Sequence, residues 1–364
     1  MDGIAFYAPM KPPTDAVPSG DRTMARALVA ALSGLGFGAV RLISELRSRD
    51  GTGDQATQDD IFRAAKAEIA RLAKEEPPAL WLTYHSYYKA PDLLGPALSR
   101  HWDIPYALVE ATRAGKRLTG PHARFAAAAE AACDTADVIF YMTERDREAL
   151  ERDRPPHQGL IRLRPFLNQE ALSPAGNRHA DNDPIRFLAC AMFRAGDKLA
   201  SYRALAAALT LVRSEDWTLT IIGEGASRAE VESLFAAFGD RVTFLGALAP
   251  EQLADHFAGA DLLLWPGVGE AYGMVYLEAQ AQGCPVVAED RPGVRDVVRD
   301  GGWLVAPEDP QAFAMAIETA MADNGVRLEA GRKARAQIAA DHLLIAARAS
   351  LKAGLDPLIR RQGR

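Results

Sequence analysis

The chain has 364 residues, 48% hydrophobic and 25% charged, which describes a globular protein with material for two ordinary domains. Its formal net charge of -6 gives no electrostatic case for a nucleic-acid partner. Three widely spaced cysteines, Cys133, Cys190 and Cys284, lack metal-ligand spacing and suit buried small hydrophobes in a reducing compartment.

The first residues, "MDGIAFYAPM", lack the charged and then long apolar pattern of a signal peptide. No apolar run approaches the ~20 residues that span a bilayer. A cytoplasmic location is expected, with peripheral contact at the inner face of a membrane left open. Short apolar runs then alternate with helical patterns, the signature of βαβ units and parallel sheets. The first half predicts strands at Ile4–Tyr7, Ala39–Ile43, Leu80–Thr83, Tyr106–Val109, Val138–Tyr141 and Leu160–Leu163. Helical patterns at Met24–Leu35 and Gln58–Lys74 lie between them.

Two loops of this half carry polar groups. In "PSGDR" Ser19 or Asp21 is placed to cap the following helix, and Gly20 is the permissive residue of the turn. "LTYHSYYK" sets Tyr84, His85, Tyr87 and Tyr88 beside the end of a strand, with His85 a candidate sugar or acceptor contact. The next such loop, "VEATRAGKR", offers Glu110 and Arg113. With Lys116, Arg117 and Arg124 it has a basic character that suits either solvent or an anionic acceptor.

The stretch "NQEALSPAGNRHADNDP", residues 168–184, reads as a linker. Two domains are therefore expected, 1–170 and 171–342, with a final helix over about 343–364 that packs back on the first. After the linker the alternation restarts with "IRFLAC", a helix from Asp197 to about Arg213, "LTIIG", "RVTFLG", "DLLLW", "PVVAED" and "GWLV". Open parallel sheets bind ligands at the carboxyl ends of their strands, so the chemistry is sought in the loops that follow.

The richest of these is "WPGVGEAYGMVYLEAQAQG". Gly267, Gly269 and Gly273 allow a ligand close to the backbone. The N–H groups of Gly273, Met274 and Val275 open a helix and suit an anion. Glu270 just before that start and Glu278 within the helix then fit hydroxyl groups on either side of a phosphate. A helix N-terminal charge preference with a surface glutamate accounts for the same two residues less fully.

In its whole length "GEAYGMVYLEAQAQGCPVVAEDRPGVRDVV" resembles the donor-binding signature of family 4 glycosyltransferases. The matching residues are Glu270, Glu278, Gly283, Pro285, Val286 and Val287. The segment "ACAMFRAGDKLASYRALAAAL" is similar to the family's cationic stretch, with Arg194 and Lys198 at the positions that neutralise the donor diphosphate. "LTIIGEGASRAEVE" resembles its glycine turn, with Gly223, Glu224 and Gly225, and Ala247 and Leu248 match the loop near the nucleobase. Gly20 is the best match to the family's phosphate-side glycine loop, whose usual glycine pair is absent here. A histidine that many members carry after the next strand is replaced by Glu110 and Arg113.

The resemblance implies an α/β GT-B fold of two doubly wound Rossmann-like domains facing a central cleft. It implies a retaining transfer of a sugar from a UDP- or GDP-sugar to a glycan, glycolipid or polysaccharide precursor, with no metal or other cofactor. The implied catalytic residues are Glu270, Arg194 and Lys198. The implied donor contacts are Gly273, Met274, Val275, Glu278, Gly223, Leu248 and Gly20. A sugar-nucleotide 2-epimerase and a non-catalytic nucleotide- or carbohydrate-binding protein are the alternatives on the same sequence.

Overall fold

The computed structural model describes residues 3–173 and 184–362. The end of the expected linker, 174–183, lies outside the described residues. The chain divides into two units, one of Met1–Asn168 with Leu344–Arg364 and one of Gln169–Leu343.

The first unit alternates strand and helix throughout. In order these are β1 (Ile4–Tyr7), α1 (Gly20–Ser33), β2 (Val40–Ser44), α2 (Gln55–Leu72), β3 (Leu80–Ser86), α3 (Gly95–Trp102) and β4 (Tyr106–Ala111), then α4 (Ala123–Thr135), β5 (Val138–Tyr141), α5 (Glu144–Arg152) and β6 (Gly159–Arg162). The strands pair in parallel in the order β2-β1-β3-β4-β5-β6. The direction of winding reverses between β1 and β3, which opens a crevice at their carboxyl ends. Strands buried on both faces explain the unbroken apolar runs "IAFY" and "VIFY".

The second unit holds β7 (Ile185–Cys190), α6 (Asp197–Leu209), β8 (Trp217–Ile222), α7 (Arg228–Phe235), β9 (Val242–Gly246), α8 (Pro250–Gly259) and β10 (Leu262–Leu264), then α9 (Met274–Ala281), β11 (Val286–Glu289), α10 (Pro292–Val298), β12 (Gly302–Val305), α11 (Pro310–Ala322) and α12 (Asn324–Asp341). Its parallel strands run β12-β11-β10-β7-β8-β9, the order of a Rossmann sheet, with the reversal between β7 and β10. The core on the faces of this sheet is aromatic-rich, with Trp217, Trp265, Tyr202 and Tyr276 fully buried. The last helix, α13 (Leu344–Gln362), packs on α1, β5 and β6 of the first unit.

The strands expected from sequence coincide with β1, β5, β7 and β12 and fall within three residues of the others. The two helical patterns of the first half start three or four residues late, because Ser19 and Asp54 cap α1 and α2 and each adds an amphipathically silent first turn.

Candidate nucleotide-sugar site and strand-end cluster

In the second unit the loops at the β7 and β10 ends are built by close backbone contact. A Cβ at Gly223, just after β8, would stand 2.0 Å from the Ala191 carbonyl oxygen. Glycine there lets the β8 turn lie against the β7 turn, where the Phe193 N–H donates to Glu224 O at 3.0 Å and the Ser227 N–H to Phe193 O at 3.0 Å. This pins the turn that leads to Arg194, which is exposed and makes no ion pair among the described residues.

The loop after β10 is fixed from α6 and α9. The Val268 N–H donates to Ser201 Oγ at 2.9 Å, and the Tyr276 hydroxyl donates to Trp265 O at 3.0 Å. Gly273 sits at φ 78, in the left-handed region, with the Tyr276 ring where its side chain would go. It is the N-cap of α9 and offers no side chain to the first N–H groups, so those of Gly273, Met274 and Val275 have no acceptor among the described residues.

Lys198, in the first turn of α6, forms an ion pair with Glu270 Oε1. The same oxygen accepts from Trp265 Nε1–H at 3.1 Å, and the Lys198 ammonium lies 5.7 Å from the Trp265 ring centroid. Glu278 lies four residues along α9 from Met274, about 6 Å up the axis. Burial pushes its carboxyl up to about 7. Its charge is felt by the Cys190 thiol at the end of β7, which burial first and Glu278 second push up to about 12. Arg194, Lys198, Gly223, Glu270, Gly273 and Glu278 thus share one end of one sheet, around its reversal point. Leu248 is half-buried in the loop between β9 and α8, on the outer strand of the same sheet.

In the first unit Ser19 is the N-cap of α1, its hydroxyl accepting from the Arg22 N–H at 3.2 Å. Gly20 is the exposed first residue of that helix, with no positive φ. Asp21 reaches across the β1–β3 reversal to His85, its Oδ1 2.8 Å from Nδ1. His85 and Glu110, at the ends of adjacent strands β3 and β4, both hold left-handed backbone, φ 60 and φ 56. Burial disfavours the imidazolium, but Glu110 and Asp21 outweigh it and raise His85 to about 9. Burial lifts the Glu110 carboxyl to about 7 against the pull of His85.

Arg113 departs from its expected place. Its guanidinium is buried and paired with Glu130 Oε2 at 2.6 Å and Asp134 Oδ1 at 2.7 Å, both on α4. Both terminal nitrogens are taken by carboxylates, so it anchors the loop to α4 and is not presented to an acceptor. The basic loop is drawn down further by Arg124, which pairs with Asp59, and by Arg117, 5.0 Å from the Tyr88 ring centroid. Trp265, Ser201 and Cys190 are site neighbours that sequence reading did not single out. Asp21 was noted only as a cap. The pairing of Arg113 had a readable signal: Glu130 and Asp134, four apart on one helix face, need a cation.

Among the described residues no helix is long and apolar enough to cross a membrane.

Two six-stranded, doubly wound parallel sheets define an α/β protein of the GT-B class. Residues 186–323 match the family described as glycosyl transferases group 1. The D-inositol 3-phosphate glycosyltransferase of Corynebacterium urealyticum is 30% identical over 215 residues, 54% of this chain and 51% of the relative. That of Nocardia farcinica is 28% identical over 303 residues, 75% of this chain and 66% of the relative. The chain therefore spans about half to two thirds of the length of these relatives. Among solved structures, sucrose-phosphate synthase from Thermosynechococcus elongatus is similar with a TM-score of 0.76 at 20% identity, covering 99% of this chain and 100% of that one. HepE from Anabaena, in complex with UDP, has a TM-score of 0.69 at 15% identity, covering 98% and 100%. At these identities the likeness establishes the fold.

Proposed function

We propose that the protein is a retaining glycosyltransferase that moves a sugar from a nucleotide-sugar donor, without a metal, to a hydroxyl of a glycan, glycolipid or polysaccharide precursor. The observation that carries this reading is the Lys198–Glu270 pair at the reversal point of the second sheet, beside free Arg194 and the open N–H groups of α9. A UDP-bound neighbour of the same fold supports a nucleoside diphosphate there.

Donor binding exchanges partners in this site. The diphosphate takes Lys198 from Glu270, and the released carboxylate accepts from the sugar hydroxyls. Arg194, Lys198 and the α9 N–H groups then hold the leaving diphosphate without donating a proton of their own to it. The bond between the anomeric carbon and the phosphate oxygen breaks, and its electron pair goes to that oxygen. The acceptor hydroxyl attacks the same face and passes its proton to the departing phosphate, so retention requires no covalent enzyme intermediate. Glu278 accepts from the ribose hydroxyls.

The test is a thermal-shift screen with UDP, GDP, ADP and their sugar conjugates, followed by NMR of the products. Stabilisation by one nucleotide family and a transferred sugar of unchanged anomeric configuration are expected. Stabilisation by none of them removes the donor site, and epimerised free donor removes the transferase.

A further inference from the structure

The turn that carries Glu270 rests on a second carboxylate, Glu289, at the end of the neighbouring strand β11. Glu270 closes that turn, its N–H donating to Gly267 O at 3.2 Å. The first turn of α10 touches it at both ends. A Cβ at Gly293 would stand 1.3 Å from the Ala271 carbonyl oxygen, so only glycine lets α10 approach the peptide that follows Glu270. At the other end, a Cβ at Gly267 would stand 3.4 Å from Val294 Cγ2. Where α10 starts therefore decides where Glu270 stands.

Glu289 sets that start. Its backbone N–H donates to Pro266 O at 3.1 Å, which ties β11 to the head of the Glu270 loop. The residue is 4% exposed, and its carboxylate is held from two sides. Oε2 accepts from Nε of Arg291 at 2.8 Å and from its Nη2, while Oε1 accepts from the Glu308 N–H at 3.2 Å. Arg291 is the N-cap residue of α10, and Glu308, in the loop after β12, holds left-handed backbone at φ 62. One buried carboxylate thus fixes three strand-end loops against one another. Its charge also reaches the site: burial first, then Glu270 and Glu289, push the Tyr276 hydroxyl up against the opposing pull of Arg291.

Stability alone gives little reason for an ion pair here. Burying two charges costs desolvation that their attraction often only offsets, and apolar residues of similar size commonly fill such a place as well. What an apolar pair lacks is direction. Two N–H groups of one guanidinium edge converging on one carboxylate oxygen orient the N-cap of α10. Such orientation matters where Glu270 must stay in place while its partner Lys198 leaves for the diphosphate.

Resting on the glycosyltransferase reading above, we infer that Glu289 and Arg291 are positioning residues for Glu270. Through α10 they hold the Gly267–Glu270 turn when Lys198 is drawn away, so that Glu270 meets the donor sugar and does not follow the cation.

The test replaces the ion pair by an apolar pair, Glu289→Leu with Arg291→Met, in the full chain. The melting temperature should stay close to that of the wild-type protein. Hydrogen exchange without ligand should be about tenfold faster over residues 266–273, with α6 unchanged. Release of nucleoside diphosphate from UDP-, GDP- and ADP-glucose reads the function. On the donor that the wild-type protein turns over, kcat should fall about tenfold, while the matching diphosphate, which lacks the sugar, should bind within about twofold of wild type. Arg291→Lys alone, which keeps a cation on Glu289, should keep kcat within about threefold. Glu289→Gln, of the same shape, carries the same measurements if the double variant fails to fold. Unchanged exchange over 266–273, an unchanged kcat, or a fall in diphosphate affinity as large as the fall in kcat overturns the proposal. A wild-type protein that turns over none of the three donors counts against the glycosyltransferase reading instead, and the exchange measurement still decides whether Glu289 holds the turn.

Discussion

In the second unit the strand-end loops are shaped by glycine, and backbone N–H groups are left without an acceptor among the described residues. Gly223 admits a neighbouring turn, and Gly273 opens α9 with its first donors free. In the first unit the comparable positions carry His85 and Glu110, full side chains forced into left-handed backbone. The end in the second unit holds the Lys198–Glu270 ion pair. The other gathers Asp21 and Glu110 about the His85 imidazolium. On the proposed function, the same class of sheet would supply phosphate binding through backbone donors in one unit and side-chain selection in the other.

The largest expected effect comes from removing the cation of the Lys198–Glu270 pair. Lys198→Ala should lower kcat about 10²–10³-fold, roughly 3–4 kcal/mol of transition-state stabilisation, measured as release of nucleoside diphosphate. The same rate in this variant would mean that the diphosphate is held by Arg194 and α9 alone. Because the substitution also leaves Glu270 without its partner, the double variant with Glu270→Gln separates lost catalysis from an unpaired carboxylate.

The strand-end cluster of the first unit should announce itself in stability against pH. His85 is raised above its unfolded value of about 6.5, so the folded state binds the extra proton and gains stability from it. That contribution is full below the unfolded value and disappears as pH rises to about 9; its size is at most about 3 kcal/mol. Glu110 adds in the same direction at lower pH, since a carboxyl raised to about 7 loses folded-state stability as pH rises towards that value. Denaturant melts between pH 6 and 9, at about one-unit steps, should show this decline, and His85→Asn, which tolerates left-handed backbone, should flatten it. An equal slope in the variant would place the titrating group elsewhere.

Gly223→Ala tests the backbone side of the comparison. The added methyl would meet the Ala191 carbonyl, and the overpacking should cost about 1–3 kcal/mol in chemical denaturation while displacing the Arg194 turn. Ala at exposed Gly20, where φ is ordinary, should leave stability within about 0.5 kcal/mol. Equal costs would show that close approach at β8 is not what distinguishes the second unit.

Most of the fold was legible because buried parallel strands leave short apolar runs bounded by turns, and helix starts were missed only where a cap precedes the amphipathic pattern. Glu270, Gly273 and Glu278 could be nominated together as donor-side residues because they lie on one continuous stretch around one helix start. Contacts between distant segments were not. Asp21 and His85 are 64 positions apart, and Lys198 and Glu270 are 72 apart. A pattern-based reading can nominate each residue of such a pair, but only the strand order brings them together. Arg113 is a further case, since its partners lie 17 and 21 positions away on α4.

The smallest effect separates binding from fold at Glu278. Its carboxyl, pushed up to about 7 by burial, accepts better from ribose hydroxyls when ionised. Nucleotide affinity should therefore rise a few-fold, about 1 kcal/mol, as pH increases through that value. Titration calorimetry with the nucleotide identified by thermal shift would measure this, and Glu278→Gln should remove the dependence with the melting curve unchanged. Glu278→Ala should weaken nucleotide binding about tenfold through the lost charge-assisted hydrogen bond. If affinity is independent of pH in the wild-type protein and unchanged in the alanine variant, Glu278 does not touch the ribose. Recognition in the second unit would then rest on backbone donors and cations alone, making its contrast with the side-chain cluster of the first unit complete.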